Sequence, residues 1–158
     1  MIESSVSLGK VRFVQKGVFD INKVQREIQG WMDDRLYDYT ERENTEKTVR
    51  NGLLESVIKI FGDRKVSDYV IFEINADIGT FEMRRKGKLQ EGTMVVKMTA
   101  RVALDYKGKW QETKKLSFLQ FIYNNFILKA KIRSYVVKLD TEFSELQDIV
   151  RESMGLYS

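Results

Sequence analysis

The amino-acid sequence predicts an α+β fold in which a mostly antiparallel sheet of about five strands carries helices on one face. The first observation is alternation. Residues 69–85 and 93–106 switch between apolar and polar side chains over long stretches, which is typical of half-buried strands. The second is element order, because the chain has no repeated strand–helix–strand alternation, and an antiparallel sheet is therefore expected.

A strand and then a helix are predicted at the N-terminal end. Residues 8–18 alternate apolar with basic side chains, which favours a strand. A helix is expected from Asp20, a residue type common at N-caps, to about Arg35. The apolar residues in between recur at helical spacing: Ile21, Val24, Ile28, Trp31 and Met32.

Two further strands are predicted before residue 69. Residues 36–50 are charged at most positions past Tyr39, and charge of this density indicates a solvated edge strand. Residues 53–61 also fit a helix that ends at Gly62. Their β-branched residues and the hairpin-like stretch 62–68 favour a strand, and a strand is the prediction.

The two long alternating segments are predicted to form an antiparallel hairpin joined by residues 84–92. Val70, Phe72 and Ile74 begin the apolar face of the first segment, and Met94, Val96 and Met98 that of the second. On the opposite face we expect cross-strand ion pairs, because acidic and basic residues then lie on neighbouring strands: Glu73 and Asp77 on one, Lys97 and Arg101 on the other. Trp110 is expected to begin a short final strand.

The C-terminal part is predicted to be helical. Residues 116–130 carry a wide apolar stripe, and Asp140-Thr141 has the residue types of a new N-cap before a second amphipathic stretch, 141–154, which Gly155 closes. The pattern fits two helices or one bent helix. We expect one domain over 1–158 and leave open whether 141–154 is part of its body, an appendage or an interface element.

The absence of histidine and cysteine excludes several chemistries. A chain of 158 residues without either has no thiolate nucleophile, no Ser-His-Asp triad and no zinc–thiolate site. Catalysis by carboxylates, Lys or Tyr and a carboxylate-held Mg²⁺ remain open. Since the sequence has no motif for them either, we predict no enzyme, no catalytic residue, no metal and no cofactor. The chain has no cysteine for a disulfide, no signal-like apolar segment and no apolar run of about 18 residues, so we expect a cytoplasmic protein, or a virion component if the source is viral.

Charge is distributed unevenly along the chain. Residues 80–138 contain 14 Lys/Arg and 4 Asp/Glu, whereas residues 139–158 contain 1 and 5. The basic block is a candidate contact surface for nucleic acid or for another subunit. Solvated turns are the plainer interpretation. The candidate residues are Arg84, Arg85, Lys86, Lys88, Lys107, Lys109, Trp110, Lys114 and Lys115.

An aromatic stripe lies at 118–126. It indicates a helix packed on the sheet, and the alternatives are the lining of a ligand pocket or a subunit interface. The candidate residues are Phe118, Phe121, Ile122 and Phe126.

The order of elements over about residues 8–138 resembles that of helix-grip, START-like domains, in which a curved antiparallel sheet grips a long C-terminal helix. That resemblance implies a pocket for an apolar ligand. The segments KGVFDINKVQREIQGW (16–31) and FLQFIYNNFILKAKI (118–132) look similar to stretches of small uncharacterised archaeal proteins, which implies no activity.

Three functions are compatible with these observations. The first hypothesis is a non-enzymatic structural or protein-interaction module that binds itself or another protein, as in a filament, shell or virion. The second is a nucleic-acid-binding protein that uses the basic hairpin and turn. The third is a carrier of a small apolar ligand.

Overall fold

The computed structural model describes residues 5–67, 70–104 and 128–155. These residues form, in chain order, β1 (Ser5–Phe19), α1 (Ile21–Asp34), β2 (Asp38–Thr48), a 3-10 turn (Arg50–Gly52), β3 (Leu54–Ser67), β4 (Val70–Lys86), β5 (Leu89–Leu104) and α2 (Leu128–Met154). The strands build one five-stranded sheet in which every neighbouring pair is antiparallel. The predicted α+β class, with a helix after the first strand and a C-terminal helix, is confirmed.

Helix α1 carries the chain from one edge of the sheet to the other. The strand order is β1-β5-β4-β3-β2, so β2 to β5 form a meander that returns to pair with β1. Both ends of the first turn of α1 are held by side chains. Asp20 accepts a hydrogen bond from the Lys23 backbone N–H at 3.2 Å, and Gln90 on β5 accepts one from the Ile21 N–H at 2.9 Å.

One face of the sheet is covered by both helices. The alternate residues of β4 and β5 predicted to be apolar are buried there, and Phe72, Ile74 and Met98 have no exposed surface. They pack in one cluster with buried residues of α1 and α2. We call the opposite face, on which neither α1 nor α2 packs, the open face.

The strand predicted over 53–61 is confirmed. The hairpin-like turn expected at 62–68 is wrong for residues 62–67, because β3 continues through Gly62 to Ser67. Gly62 is buried beneath α1, and a Cβ atom at this position would lie 2.6 Å from the sulfur of Met32. The glycine is therefore needed for the close approach of the helix to the strand and does not make a turn.

The β4–β5 connection is tighter than the predicted connector 84–92. Lys86 pairs with Leu89, which leaves a two-residue turn at Gly87-Lys88. A β-bulge lies before it, where Glu82 and Met83 oppose Gly92 alone. The extra residue turns Met83 into the core while Phe81 stays on the open face.

Helix α2 runs without a break through Asp140-Thr141, so of the two arrangements left open by the sequence, no new helix begins at this point. The Thr141 hydroxyl donates to the Val137 carbonyl 3.0 Å away within the helix and does not cap a new one. The helix ends before Gly155, which has a φ of +82°. Its buried residues are Leu139, Phe143, Leu146, Val150 and Met154.

Neither α1 nor the described α2 has a stretch long and apolar enough to cross a membrane.

Candidate binding surface

The strand register places a row of charged residues across the open face. Arg12 on β1 lies directly opposite Lys97 on β5, Lys97 opposite Asp77 on β4, and Asp77 opposite Lys59 on β3. Side chains directly opposite in an antiparallel pair are close neighbours. Two like charges, Arg12 and Lys97, therefore face each other, and a single carboxylate separates Lys97 from Lys59.

An apolar row runs beside the charged one. In register across the sheet it consists of Val14, Val95, Gly79 and Val57. Gly79 has no side chain, and the ring of Phe81 lies 3.5 Å from the place where a Cβ atom would be. The ring itself is 45% exposed.

Together the two rows form a cleft of about 220 Å³, which we call the Phe81 cleft. Its lining consists of Arg12, Val57, Lys59, Asp77, Ile78, Gly79, Phe81, Val95 and Lys97. Apolar side chains and an exposed aromatic ring form its floor and wall, and three cations with one carboxylate stand around it. The cleft thus offers an apolar contact and positive charge at the same place.

The positive charge is concentrated on one side of the open face. Residues 10–16 of β1 and 93–101 of β5 contain five Lys/Arg and no Asp/Glu. We call these five residues the basic half: Lys10, Arg12, Lys16, Lys97 and Arg101. Within the described part of the chain, only Arg101 among them forms an ion pair. The remaining four cations form no ion pair there and are exposed.

Acidic residues lie toward the other edge. Arg101 donates to Glu73 on β4 from two guanidinium nitrogens, which confirms one of the predicted cross-strand ion pairs. Glu73 lies opposite Asp63, and Asp63 opposite Asp38. Partial burial, followed by the charges of these two carboxylates, raises the pKa of Asp63 above its ordinary value.

The hairpin tip is less cationic than its sequence suggests. The Arg85 guanidinium donates to both carboxylate oxygens of Glu46 at 2.6 Å, and the Lys86 ammonium lies 3.4 Å from Glu91. Arg84 and Lys88 are exposed. Two of the four candidate residues at this tip are thus already partnered by carboxylates of the same chain.

The other candidates from the sequence lie outside the described residues. These are Lys107, Lys109, Trp110, Lys114 and Lys115 for an anionic or subunit contact, and Phe118, Phe121, Ile122 and Phe126 for a pocket or interface.

A charged network under the helices was not predicted from the sequence. The Glu142 carboxylate on α2 accepts from Tyr37 and from Arg64 on β3, each at 3.0 Å, and Arg64 also donates to the Arg35 carbonyl at 2.7 Å. The side chains of Arg64 and Glu142 are only 14% and 10% exposed. Burial and then the charge of Glu142 raise the pKa of Tyr37, which stays a protonated donor.

A detectable signal for this network was present in the sequence. Arg64 follows Ile58, Ile60 and Gly62 at every second position, so it continues the inward phase of β3. Glu142 interrupts the apolar stripe of α2 between Leu139 and Phe143. Two opposite charges at inward-facing positions of two elements predict a buried pair. Because both Nη atoms of Arg64 and both carboxylate oxygens of Glu142 are hydrogen-bonded within the protein, we assign these residues a structural role.

A second ion pair links the end of α1 to α2, and both of its side chains are exposed. The Glu145 carboxylate accepts from the Arg35 guanidinium and, at 2.9 Å, from the Trp31 indole N–H. These bonds stabilise the carboxylate and lower its pKa.

A hollow of about 620 Å³ lies where α1 meets β2, beside the end of β3 and α2. Seven of its nine lining residues are charged, so it does not provide the apolar lining that an apolar ligand needs. The pocket predicted beneath residues 118–126 lies outside the described residues and stays a prediction. Over 5–67, 70–104 and 128–155, no group of three or more acidic side chains is placed to hold a metal ion.

Neither a protein-family model nor a curated protein matches the chain.

Proposed function

We propose that the chain is a non-enzymatic interaction module and that it binds an anionic partner on the open face of its sheet. The observation that carries this proposal is the Arg12–Lys97 pair, two cations directly opposite each other beside the exposed ring of Phe81. Like charges in this position repel each other and destabilise the folded protein. A bound anion would remove that repulsion.

The placement of the remaining charges supports the open face over other surfaces. The buried cation Arg64 is paired, and two of the hairpin-tip cations are paired as well. Lys10, Arg12, Lys16, Lys59 and Lys97 form no ion pair in the described part of the chain, and all of them lie on the open face. Asp77 lies opposite Lys97 and Lys59, and Glu43 lies opposite Lys59 as well. Their charge is therefore available to a partner without breaking an existing ion pair.

Retention of the purified protein on immobilised heparin, a generic polyanion, tests this proposal. The double variant Arg12→Ser, Lys97→Ser should elute at clearly lower salt than the unchanged protein. The matched control is Lys23→Ser, Arg26→Ser, which removes the same charge from exposed positions on α1. Equal elution of the two variants would contradict the proposal, because net charge alone would then determine retention.

Self-association is a second candidate, favoured by the division of charge on the open face. A second copy, turned over about an axis parallel to the strands, would place the basic half of one subunit above β2 and β3 of the other. The acidic row Asp38, Asp63 and Glu73 lies on that side. Such a contact is self-complementary, as the interface of a twofold dimer must be.

Light scattering after size-exclusion chromatography tests self-association. We expect a dimer at low salt that dissociates as salt screens the charges. The Arg12→Ser, Lys97→Ser variant should dissociate at lower salt than the Lys23→Ser, Arg26→Ser control. A monomer at high protein concentration and low salt would exclude this candidate.

A further inference from the structure

The cations of β1 form a line on the open face. Lys10 and Arg12 lie two residues apart, a distance of about 7 Å along the strand, and Lys16 lies four residues beyond Arg12, about 14 Å away, with Val14 between them. Lys97 stands beside Arg12 on the neighbouring strand. A ligand that carries negative charges at repeated intervals along an extended chain would contact several of these cations in succession.

The Phe81 cleft adds an apolar contact of limited size. Its volume of about 220 Å³ is below the roughly 300 Å³ at which pockets for complete small molecules begin. It suits one planar ring that belongs to a longer ligand. The exposed ring of Phe81, which lies against Gly79, can stack on such a group.

We propose that the open face binds single-stranded nucleic acid, with phosphates on the basic half and one base in the Phe81 cleft. This inference rests on the proposed function and identifies its anionic partner. Proteins that bind single strands combine a cationic track for the backbone with aromatic side chains on which bases stack, and the open face has both. Outward aromatic side chains on a sheet are also one of the ways in which proteins hold single-stranded RNA.

Duplex nucleic acid fits this surface poorly. The five strands span about 19 Å, whereas the major groove of B-DNA is about 12 Å wide and admits a helix or a two-stranded ribbon. The bases of a duplex are also stacked on one another and are not available to Phe81. An acidic peptide would satisfy the cations but would leave the aromatic wall of the cleft without a specific partner.

Asp77 gives the cleft a preference among bases. Its carboxylate lies between Lys97 and Lys59 in register and lines the cleft. A carboxylate accepts a hydrogen bond from the exocyclic amino group of cytosine or adenine, which uracil and thymine lack. We therefore expect oligo(C) and oligo(A) to bind more tightly than oligo(U), and Asp77→Asn to reduce that difference.

Fluorescence anisotropy with labelled 15-nucleotide oligomers and the full chain provides the test. At about 50 mM salt the unchanged protein should bind single-stranded RNA or DNA more tightly than a duplex of equal length. The logarithm of the binding constant should fall with the logarithm of salt with a slope of about −2 to −3, for three or four phosphate contacts. Arg12→Ser, Lys97→Ser should reduce that slope by about 1.4, while Lys23→Ser, Arg26→Ser should leave it unchanged.

The aromatic contact has its own variant and control. Phe81→Ala should weaken binding about 5- to 150-fold, since stacking on a base is worth about 1–3 kcal/mol. Leu89→Ala removes a similarly exposed apolar side chain from the hairpin and should have no effect on affinity. Circular dichroism and the thermal midpoint show whether each variant is folded. Because Arg12 and Lys97 are exposed, their variants test the proposal even if Phe81→Ala does not fold.

Several results would overturn the inference. The first is that the protein does not bind single strands at about 50 mM salt. The second is that it binds a duplex as tightly as a single strand, and the third is that Phe81→Ala and Leu89→Ala change the affinity equally. A loss of binding in Lys86→Ser, Lys88→Ser but not in Arg12→Ser, Lys97→Ser would assign binding to the hairpin tip instead. An Asp77→Asn variant that keeps the full preference for oligo(C) would refute the role given to Asp77.

Polyglutamate serves as the competing polyanion. If heparin retention depends on Arg12 and Lys97 but polyglutamate displaces oligonucleotides at equal charge concentration, the proposed function holds and the nucleic-acid inference fails. If the open-face variant changes none of these measurements, both fail.

Discussion

On its helix-covered face the sheet presents Phe72, Ile74 and Met98, none of which has exposed surface. The residues next to them in sequence, Glu73, Asn75 and Lys97, lie on the open face instead. The same two strands thus serve two purposes. Side chains on the covered face are packed by α1 and α2 and hold the fold together. Side chains on the open face contribute little to that packing, so charge and aromatic groups there can be devoted to binding.

The largest expected difference between the faces is in the free energy of unfolding, when a phenylalanine of β4 is replaced by alanine on one face or on the other. Phe72→Ala removes a fully buried ring and should lower the free energy of unfolding by about 3–5 kcal/mol. Phe81→Ala removes a ring that is 45% exposed and should lower it by about 1 kcal/mol or less. Urea denaturation of both variants measures the difference. Equal losses would show that the open face is packed as tightly as the covered one.

The next effect concerns the one charged network on the covered face. Glu142→Gln leaves the Arg64 guanidinium buried without its carboxylate and should lower the free energy of unfolding by about 3 kcal/mol. This value is at the low end of the range for breaking a buried ion pair, because Arg64 keeps its hydrogen bond to the Arg35 carbonyl. Thermal and urea unfolding check this value.

A paired replacement shows what that network contributes. In Arg64→Met, Glu142→Leu no buried charge is left alone, and most of the lost stability should return. If the double variant is less stable than Glu142→Gln, the ion pair itself stabilises the fold, and our account of the loss as an unpaired buried charge is wrong.

Much of the contrast between the faces could be predicted from the sequence, because a strand sends successive side chains to opposite faces. The long alternation of residues 69–85 and 93–106 therefore identified both faces and the Glu73–Arg101 pair. The cleft could not be predicted in the same way. It depends on the register of four strands and on the bulge at Glu82, whose φ of +51° no local sequence pattern indicates.

Close approaches between elements were the other gap. Glycine is common in turns, but Gly62 lies inside β3. A side chain does not fit at this position, because Met32 of α1 lies against it. Gly92, which lies opposite the bulge, also has no room for a side chain, since a Cβ atom there would lie 2.7 Å from the Glu82 carbonyl oxygen. Contacts between residues distant in sequence determine both positions, and local pattern reasoning does not include them.

A smaller effect is expected at the acidic row of the open face. Asp63 is partly buried and lies directly opposite Asp38 and Glu73, and these raise its pKa although the charge of Arg42 offsets them in part. A raised pKa means that the ionised carboxylate is less favourable in the folded protein, so this destabilisation is present at neutral pH and disappears as pH falls through the folded pKa. Asp63→Asn should therefore increase the free energy of unfolding at pH 7 by about 0.5 kcal/mol.

The pH dependence of the same variant separates charge from packing. The gain should shrink as the pH is lowered toward 3.8, the ordinary pKa of an aspartate, because Asp63 itself then becomes neutral. Glu145→Gln is the control of opposite sign: the lowered pKa of Glu145 gives stability that is present above its ordinary pKa and lost on acidification. Urea midpoints between pH 3 and 7 should thus converge with the unchanged protein at low pH for both variants, from above for Asp63→Asn and from below for Glu145→Gln. A constant gain for Asp63→Asn across that range would assign it to packing, and the open face would then resemble the covered one more than its charges suggest.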